Sequence, residues 1–502
     1  MSTKFSSPPL KSIVVLGGGT AGWMTAASLA NRLQGRSTSI IVIDSSEIGT
    51  IGVGEATVPA IRDYFASLGL DARHVMRATR ATVKLGIEFD GWKASGHKFF
   101  HPFGLYGAKA GSVPFHQMWL ALDQPGDLAD YNLCTQLAYA ERFTTPQTPP
   151  RGDFDVFDWA VHFDAGLFAR YLRDYAVEKG VRHIDAKLAE TRLDAETGAV
   201  SSLLLQTGES LSADLYVDCS GLRSLLLQRA LKTRFIDWKH WLPCDRAIAM
   251  PCENTLGYQP YTRATAQSAG WSWRIPLQHR VGNGYVYDSN SLTDEDAEQT
   301  LRNLLEGKPL ADANTIQFRT GHAASFWVKN VVGIGLSAGF LEPLESTSIA
   351  LIQSGIEKLL TLLPGTPIAP HLAEEYNRTT KLEFERIRDF IILHYLANQR
   401  TKELFWQRCR DMRAPDSLTS RIDLFLSHGH FVRHEWESFF DASWLSVYAG
   451  FDWLPPARPE AIAGVDLEYL RAILPRLRSD IRSLAAAAAS HVSFIASLTE
   501  SA

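Results

Sequence analysis

The chain has 502 residues, of which 45% are hydrophobic and 21% charged, and a formal net charge of −5. Such values belong to a globular protein with a sizeable core; they offer no basic arm for a phosphate backbone and exclude nucleic acid as an expected partner. Five cysteines (Cys134, Cys219, Cys244, Cys252, Cys409) stand far apart without a C-x-x-C pair, which fits a reducing compartment and argues against a disulfide framework or a zinc site. The segment "MSTKFSSPPLKS" lacks the apolar centre of a signal peptide, and the Ala-rich "LRSLAAAAASHVSFIASL" is too small-sided for a membrane span and reads as a packed terminal helix. A cytoplasmic protein without a membrane partner is expected. No low-complexity stretch divides the chain, so interlocked domains are expected.

In chain order, "KSIVVLG" is a β-branched run that predicts a buried parallel strand, and "TAGWMTAASLANRL" predicts a helix. Between them Gly17, Gly19 and Gly22 complete G-x-G-x-x-G, with Thr20 and Ala21 inside the turn. The first glycine permits the tight turn, the second lets a pyrophosphate approach the backbone, and the third lets helix pack on strand. The helix N-terminus then offers free N–H groups to the phosphate. A second strand, "SIIVID", ends at Asp44, twenty-two residues past Gly22, the place of a carboxylate that accepts ribose hydroxyls.

The next stretch, "IGTIGVGEATVPAIRDYF", is a glycine-rich strap in which Gly54, Glu55 and Ala56 are candidate cofactor contacts. Further on, "LSADLYVDCSGLRSLLL" predicts a strand, a turn and a helix start, and "NVVGIGLSAGF" a strand and turn that return the chain to the cofactor at Leu336. These features favour FAD over NAD. They resemble the para-hydroxybenzoate-hydroxylase type of FAD domain, with Gly335–Leu336 standing where such proteins usually have Gly–Asp.

"GWSWRIPL" followed by "GNGYVYDS" alternates as two antiparallel strands would, with Trp271 and Trp273 on one face. From the residues alone this pair fills a core, Lys84 in "ATVKLGIEFDGW" is a solvated lysine, and Glu345 in "LEPLESTS" is an acid at a helix N-terminus. His101 and Phe103 in "HKFFHPFG" suit either a surface loop or an aromatic wall. His428, His430 and His434 lack an accompanying carboxylate pattern, so no metal is expected. A long amphipathic helix is predicted over "LAEEYNRTTKLEFERIRDFIILHYLANQ".

The blocks "GGGTAGW", "IGVGEATVP", "GWSWRIP", "GNGYVYDS", "LEPLEST" and "RDFIILHY" run in this order over most of the chain, which thereby resembles the flavin-dependent halogenases of the tryptophan halogenase family. The resemblance implies an α/β fold of the para-hydroxybenzoate-hydroxylase FAD-binding type, with an antiparallel substrate-side sheet and a helical C-terminal region. Residues 8–75, 155–230 and 325–365 would form a discontinuous FAD module, 76–154 and 231–324 the substrate side, and 366–502 the helical region with a substrate lid.

It further implies FADH2-dependent chlorination or bromination of an electron-rich, indole-like aromatic through a flavin C4a-hydroperoxide and hypohalous acid. Chloride or bromide would lie at Thr347 and Ser348, where the family commonly has glycine at the second position. Lys84 would bind hypohalous acid or form a haloamine, and Glu345 would orient the electrophile or take the ring proton. Trp271 and Trp273 would wall the flavin, and His101, Phe103, Glu435, Phe439 and Phe440 would face the substrate. Where tryptophan-specific members carry a tyrosine pair, this chain has His428–Gly429. A separate NAD(P)H flavin reductase, a small aromatic substrate and a possible homodimer complete the expected partners. The alternatives are an FAD-dependent aromatic hydroxylase and a non-catalytic flavin-binding protein.

Overall fold

In the computed structural model, which describes residues 8–48 and 54–500, the run Ser12–Leu16 lies inside a six-stranded sheet. The order is Trp327–Val328, Val331–Gly333, Leu215–Asp218, Ser12–Leu16, Ser39–Asp44 and Arg182–Asp185, parallel throughout except for the first pair. Alternation explains how one strand serves two layers. Ile13 and Val15 pack with Trp23, Met24 and Ala27 of the helix Thr20–Arg32, whereas Val14 and Leu16 join Val200, Leu203 and Leu205 of a small three-stranded meander.

A seven-stranded sheet stands beside it, in the order Asn314–Gln317, Arg246–Ala249, Val281–Tyr287, Gly270–Pro276, Thr262–Gln267, Gly86–Asp90 and Lys98–Pro102. The expected antiparallel sheet is in fact mixed, because Thr262–Gln267 meets Gly86–Asp90 in parallel. A third sheet places Ala160–Asp164 between Gly54–Ala56 and Thr82–Lys84, so the end of the strap and the strand bearing Lys84 flank one strand. The strap residues Gly49–Val53 lie outside the described residues.

The predicted helix start after Asp218 is instead a 3-10 turn, Gly221–Arg223, and a π-helical turn, Leu225–Ala230. Its carboxylate accepts the N–H groups of Leu226 and Leu227, each at 2.9 Å, and Ser224 takes a left-handed φ of 41°, so a regular α-helical start is replaced. The long helix spans Pro370–Leu396, with Pro370 in its first turn and its C-terminal half buried from Ile387 to Tyr395. The Ala-rich terminus is two helices, Leu467–Ala487 and His491–Glu500, and not one. Ala489 and Ser490 interrupt them by pairing with Phe143 and Arg142. Among the described residues no helix is long and apolar enough to cross a membrane.

Candidate active site

The glycine turn ends the Ser12–Leu16 strand with Gly17 at φ +114°, where a Cβ would lie 2.3 Å from the carbonyl oxygen of Cys219. Gly22 meets the turn so closely that a Cβ there would stand 1.7 Å from the Gly17 carbonyl oxygen. Gly19 is different: a Cβ on it meets nothing within 4 Å. The helix beginning at Thr20 has no capping side chain, which leaves its first N–H groups to an anion approaching Gly19. The Asp44 side chain lies against Gly18, where a Cβ would come 2.1 Å from Oδ2, so the carboxylate overhangs the cradle. Glu55 is half-buried, and burial pushes its carboxyl up to about 7. Leu336 lines a cleft of about 240 Å³ together with Leu222, Phe235 and Phe340. A cradle open at the one glycine a pyrophosphate must approach, with a helix start below and a carboxylate above, fits FAD.

A second cluster is assembled by the shared strand and the turn after Leu341. Lys84 is fully buried; its Nζ donates to the Thr57 carbonyl oxygen at 2.9 Å and to Ser346 Oγ at 2.8 Å, and lies 5.0 Å from the centre of the Phe103 ring. Burial pulls its ammonium down to about 7, against the opposing pull of Glu345. Glu345 lies between two imidazoles, with Oε2 2.8 Å from His101 Nδ1 and Oε1 2.9 Å from His394 Nε2. Burial alone would raise its carboxyl, but His101 and His394 outweigh that and hold it down at about 2. The strand bearing Lys84 is pinned by the terminal helix, since the Val83 N–H donates to His491 Nε2 at 3.1 Å.

The helix Ser348–Thr361 starts one residue after Thr347, which follows Ser346 in a left-handed φ of 59°. Thr347 is buried, its Oγ1 has no hydrogen-bond partner among the described residues, and the helix again lacks a capping side chain. A buried hydroxyl without a partner at a helix start suits a small anion. Ser348 is half-buried in the first turn.

The other expected residues divide into two groups. Phe439 is buried and stacks on Phe390 with centroids 4.0 Å apart, while its ring centre lies 6.1 Å from that of His101. Glu435 and Phe440 do not join this cluster. The Glu435 carboxylate is exposed and paired with Arg378 at 2.9 Å, and the sixteen residues from Arg378 to His394 rise about 24 Å along the long helix. Phe440 is 62% exposed. His428 and Gly429 end the helix Asp416–His428, and the Gly429 carbonyl accepts from His116 and Gln117.

Trp271 and Trp273 share a face with centroids 6.2 Å apart, as the alternation requires. Trp271 donates its indole N–H to Glu342 Oε2 at 2.7 Å, and the Tyr395 hydroxyl donates to the same oxygen at 2.6 Å. Burial pushes this second carboxyl up to about 7. Ser346, Thr57, Glu342, His394 and Tyr395 were not singled out from the sequence. The only available signals were that Glu342 precedes Glu345 by three residues and that Phe390 precedes His394 by four within an apolar helical run. Among the described residues no group of three His, Cys, Asp or Glu could hold a metal ion.

A largely parallel sheet with an open glycine cradle at the start of a helix is the layout of a dinucleotide-binding α/β protein. A family model described as tryptophan halogenase matches residues 12–466, and the chain belongs to that family. It is 38% identical over 438 residues to 7-chloro-L-tryptophan 6-halogenase KtzR of Kutzneria sp. (strain 744), covering 82% of this chain and 84% of the relative. Among solved structures it is similar to BrvH, a flavin-dependent halogenase from Brevundimonas sp. BAL3, with 46% identity, a TM-score of 0.94 and coverage of 98% and 99%. It is also similar to Xcc4156, a flavin-dependent halogenase from Xanthomonas campestris, with 38% identity, a TM-score of 0.93 and 98% of each chain covered.

Proposed function

We propose that the protein uses FADH2, oxygen and chloride or bromide to halogenate an electron-rich, indole-like aromatic. The observation that carries this reading is the joint burial of Lys84 and Glu345, the one against the Phe103 ring and the other against His101. The fold reads as the para-hydroxybenzoate-hydroxylase type, its FAD module drawn from residues 8–75, 155–230 and 325–365; the scattered origin of the parallel sheet supports this. Gly17, Gly19, Thr20, Ala21 and Gly22 would cradle the pyrophosphate, Asp44 the ribose, and Gly54, Glu55, Ala56 and Leu336 the rest of the cofactor, with Trp271 and Trp273 as a nearby wall.

Bound in reduced form, FAD would activate oxygen, and the activated oxygen would be the two-electron oxidant that turns halide into an electrophile. Thr347 and Ser348 hold the halide at the helix start. Lys84 receives the oxidised halogen as hypohalous acid, either as an ammonium that hydrogen-bonds its oxygen or as an amine that forms an N–X bond while the X–O bond breaks and the hydroxyl leaves with an amine proton as water. Phe103, Phe439 and His101 hold the flat ring, and Glu345 orients the electrophile or removes the ring proton once the C–X bond has formed. The direct test is product mass spectrometry over an aromatic panel supplied with FAD, a flavin reductase, NADH, oxygen and bromide: a halogenated product is expected, and its absence across the panel contradicts the reading.

Three further outcomes are expected. Gly19→Ala puts a methyl group into the open cradle with no protein atom within 4 Å of it, so the melting temperature should hold while FAD binding, followed by fluorescence titration, weakens at least about tenfold. Unchanged FAD affinity contradicts the cradle. Purified protein given FAD, NADH, oxygen and halide without a reductase should form almost no product, because the second glycine turn, at Gly335, adjoins the same sheet and is assigned to the flavin and not to a nicotinamide dinucleotide. Rapid NADH oxidation by this chain alone would overturn that.

Free tryptophan should lose to indole in competition. His428–Gly429 is a helix end, Glu435 is committed to Arg378, and the amino acid's charged groups are left without the partners a clamp would supply. Each missing charge-assisted hydrogen bond costs about 1.5–3 kcal/mol. Bromide should be used at least as well as chloride, being easier to oxidise and less tightly hydrated; a higher kcat/KM for tryptophan with chloride contradicts both halves.

A further inference from the structure

Lys84 sits on an edge strand. In its three-stranded sheet Ala160–Asp164 is central, so Thr82–Lys84 has a neighbouring strand on one side only. Val83 stands opposite Val161, whose own N–H is taken by Thr57 Oγ1 at 3.1 Å, and the Val83 N–H points the other way, to the outer edge. The Leu85 N–H, two residues on, does the same. Both residues are buried, and buried N–H groups on an open edge need acceptors from elsewhere. Leu85 finds the Pro260 carbonyl oxygen at 2.7 Å, and Val83 finds His491 Nε2 at 3.1 Å. Lys84 is the residue between these two anchors.

The tautomer of His491 follows from its partners. A backbone N–H only donates, so Nε2 bears the lone pair; Nδ1, 2.5 Å from the Tyr258 carbonyl oxygen, bears the hydrogen. The imidazole thus bridges the strand edge and the loop that also holds Leu85. It is fully buried, and burial pulls it down to about 4, so it is neutral and keeps an accepting Nε2 at neutral pH. The ring is fixed in turn by the C-terminal segment. The His491 N–H donates to the Glu141 carbonyl oxygen at 2.9 Å, Ala489 and Ser490 pair with Phe143 and Arg142, and Phe494 packs edge-on against Phe143 with centroids 4.7 Å apart.

We infer that His491 is a positioning residue for Lys84: its imidazole takes the place of a missing neighbouring strand, and through it the C-terminal helix fixes where the Lys84 amine stands. The inference rests on the role proposed for Lys84 above. With Val83 and Leu85 both anchored, the Lys84 side chain leaves a fixed backbone toward Thr57 and Ser346. Losing the Val83 anchor frees the edge, and misplacing a reacting group by about 1 Å costs up to about 100-fold in rate.

The test uses the full chain with FAD, a flavin reductase, NADH, oxygen, bromide and indole. His491→Leu fills the ring's place without an acceptor and should lower kcat about 10-fold to 100-fold with FAD affinity unchanged. His491→Gln, whose amide oxygen accepts from Val83, should recover most of that loss. The pH midpoint of the rate, near 7 in the wild type, should move up in His491→Leu as water reaches the amine beside Glu345 and His162. A lower melting temperature with kcat and pH midpoint as in the wild type overturns the inference. Hydrogen exchange followed by mass spectrometry reads the anchor in the wild type itself: the Val83 amide should exchange as slowly as those of the central strand Ala160–Asp164. Rapid exchange there overturns the inference whether or not any variant folds. Full activity in Lys84→Ala with slow exchange at Val83 would refute the proposed role of the lysine, and an essential Lys84 with kcat and pH midpoint unmoved in His491→Leu would refute this inference alone.

Discussion

Lys84→Ala is expected to bind FAD as the wild type does and to lose at least about 100-fold of its halogenation rate with FADH2 supplied in excess. The side chain is sealed from solvent and touches Thr57, Ser346 and the Phe103 ring, none of which belongs to the glycine cradle, so its loss should spare the cofactor. Burial is the main reason its ammonium loses its proton near 7, well below an ordinary lysine. The wild-type rate should therefore change with pH around that value. A rate that rises with pH assigns the amine, and one that falls assigns the ammonium donor. Retention of most activity in Lys84→Ala removes the lysine from the chemistry.

Glu345→Gln should cost about 100-fold to 10,000-fold in rate, the span usual for a single proton-transfer group. The amide keeps the shape but not the charge, and it places an NH2 or a carbonyl where His101 Nδ1 and His394 Nε2 now face carboxylate oxygens. FAD and halide binding should be unaffected. If Glu345 removes the ring proton, deuterium at the reacting carbon should slow the variant further; without that isotope effect, the carboxylate orients the electrophile instead. An unchanged rate would exclude both roles.

Local signals in the sequence carried the parts of the fold that depend on local physics. The glycine spacing needs only adjacent residues to make its turn, and W-x-W needs only strand alternation to put Trp271 and Trp273 on one face. The Ala-rich terminus failed as one helix because pairing of Ala489 with Phe143, more than three hundred residues away, overrides its helix propensity. The seven-stranded sheet proved mixed for a similar reason: Gly86–Asp90 enters it from a distant part of the chain.

In the site, Lys84 and Glu345 were named through resemblance, and nothing in the spacing of either residue indicates burial. His394 was hidden inside the run "FIILHY", where its neighbours mark only a buried helix face; its importance arises from a contact across the fold. Glu435 and Phe440 were placed by their distance along the chain from the expected lid, but Arg378 draws Glu435 to the far end of the long helix, and Phe440 remains exposed beside a buried Phe439.

In the proposed reaction an oxidised halide, and not oxygen, is delivered to the aromatic ring. The measurement that tests it most directly is mass spectrometry of the product formed under oxygen-18 gas with a flavin reductase, FAD, bromide and an indole substrate. The expected product carries the paired isotope pattern of bromine and no oxygen-18, and does not form when halide is withheld. An oxygen-18-labelled hydroxylated product that forms equally well without halide would contradict that reaction.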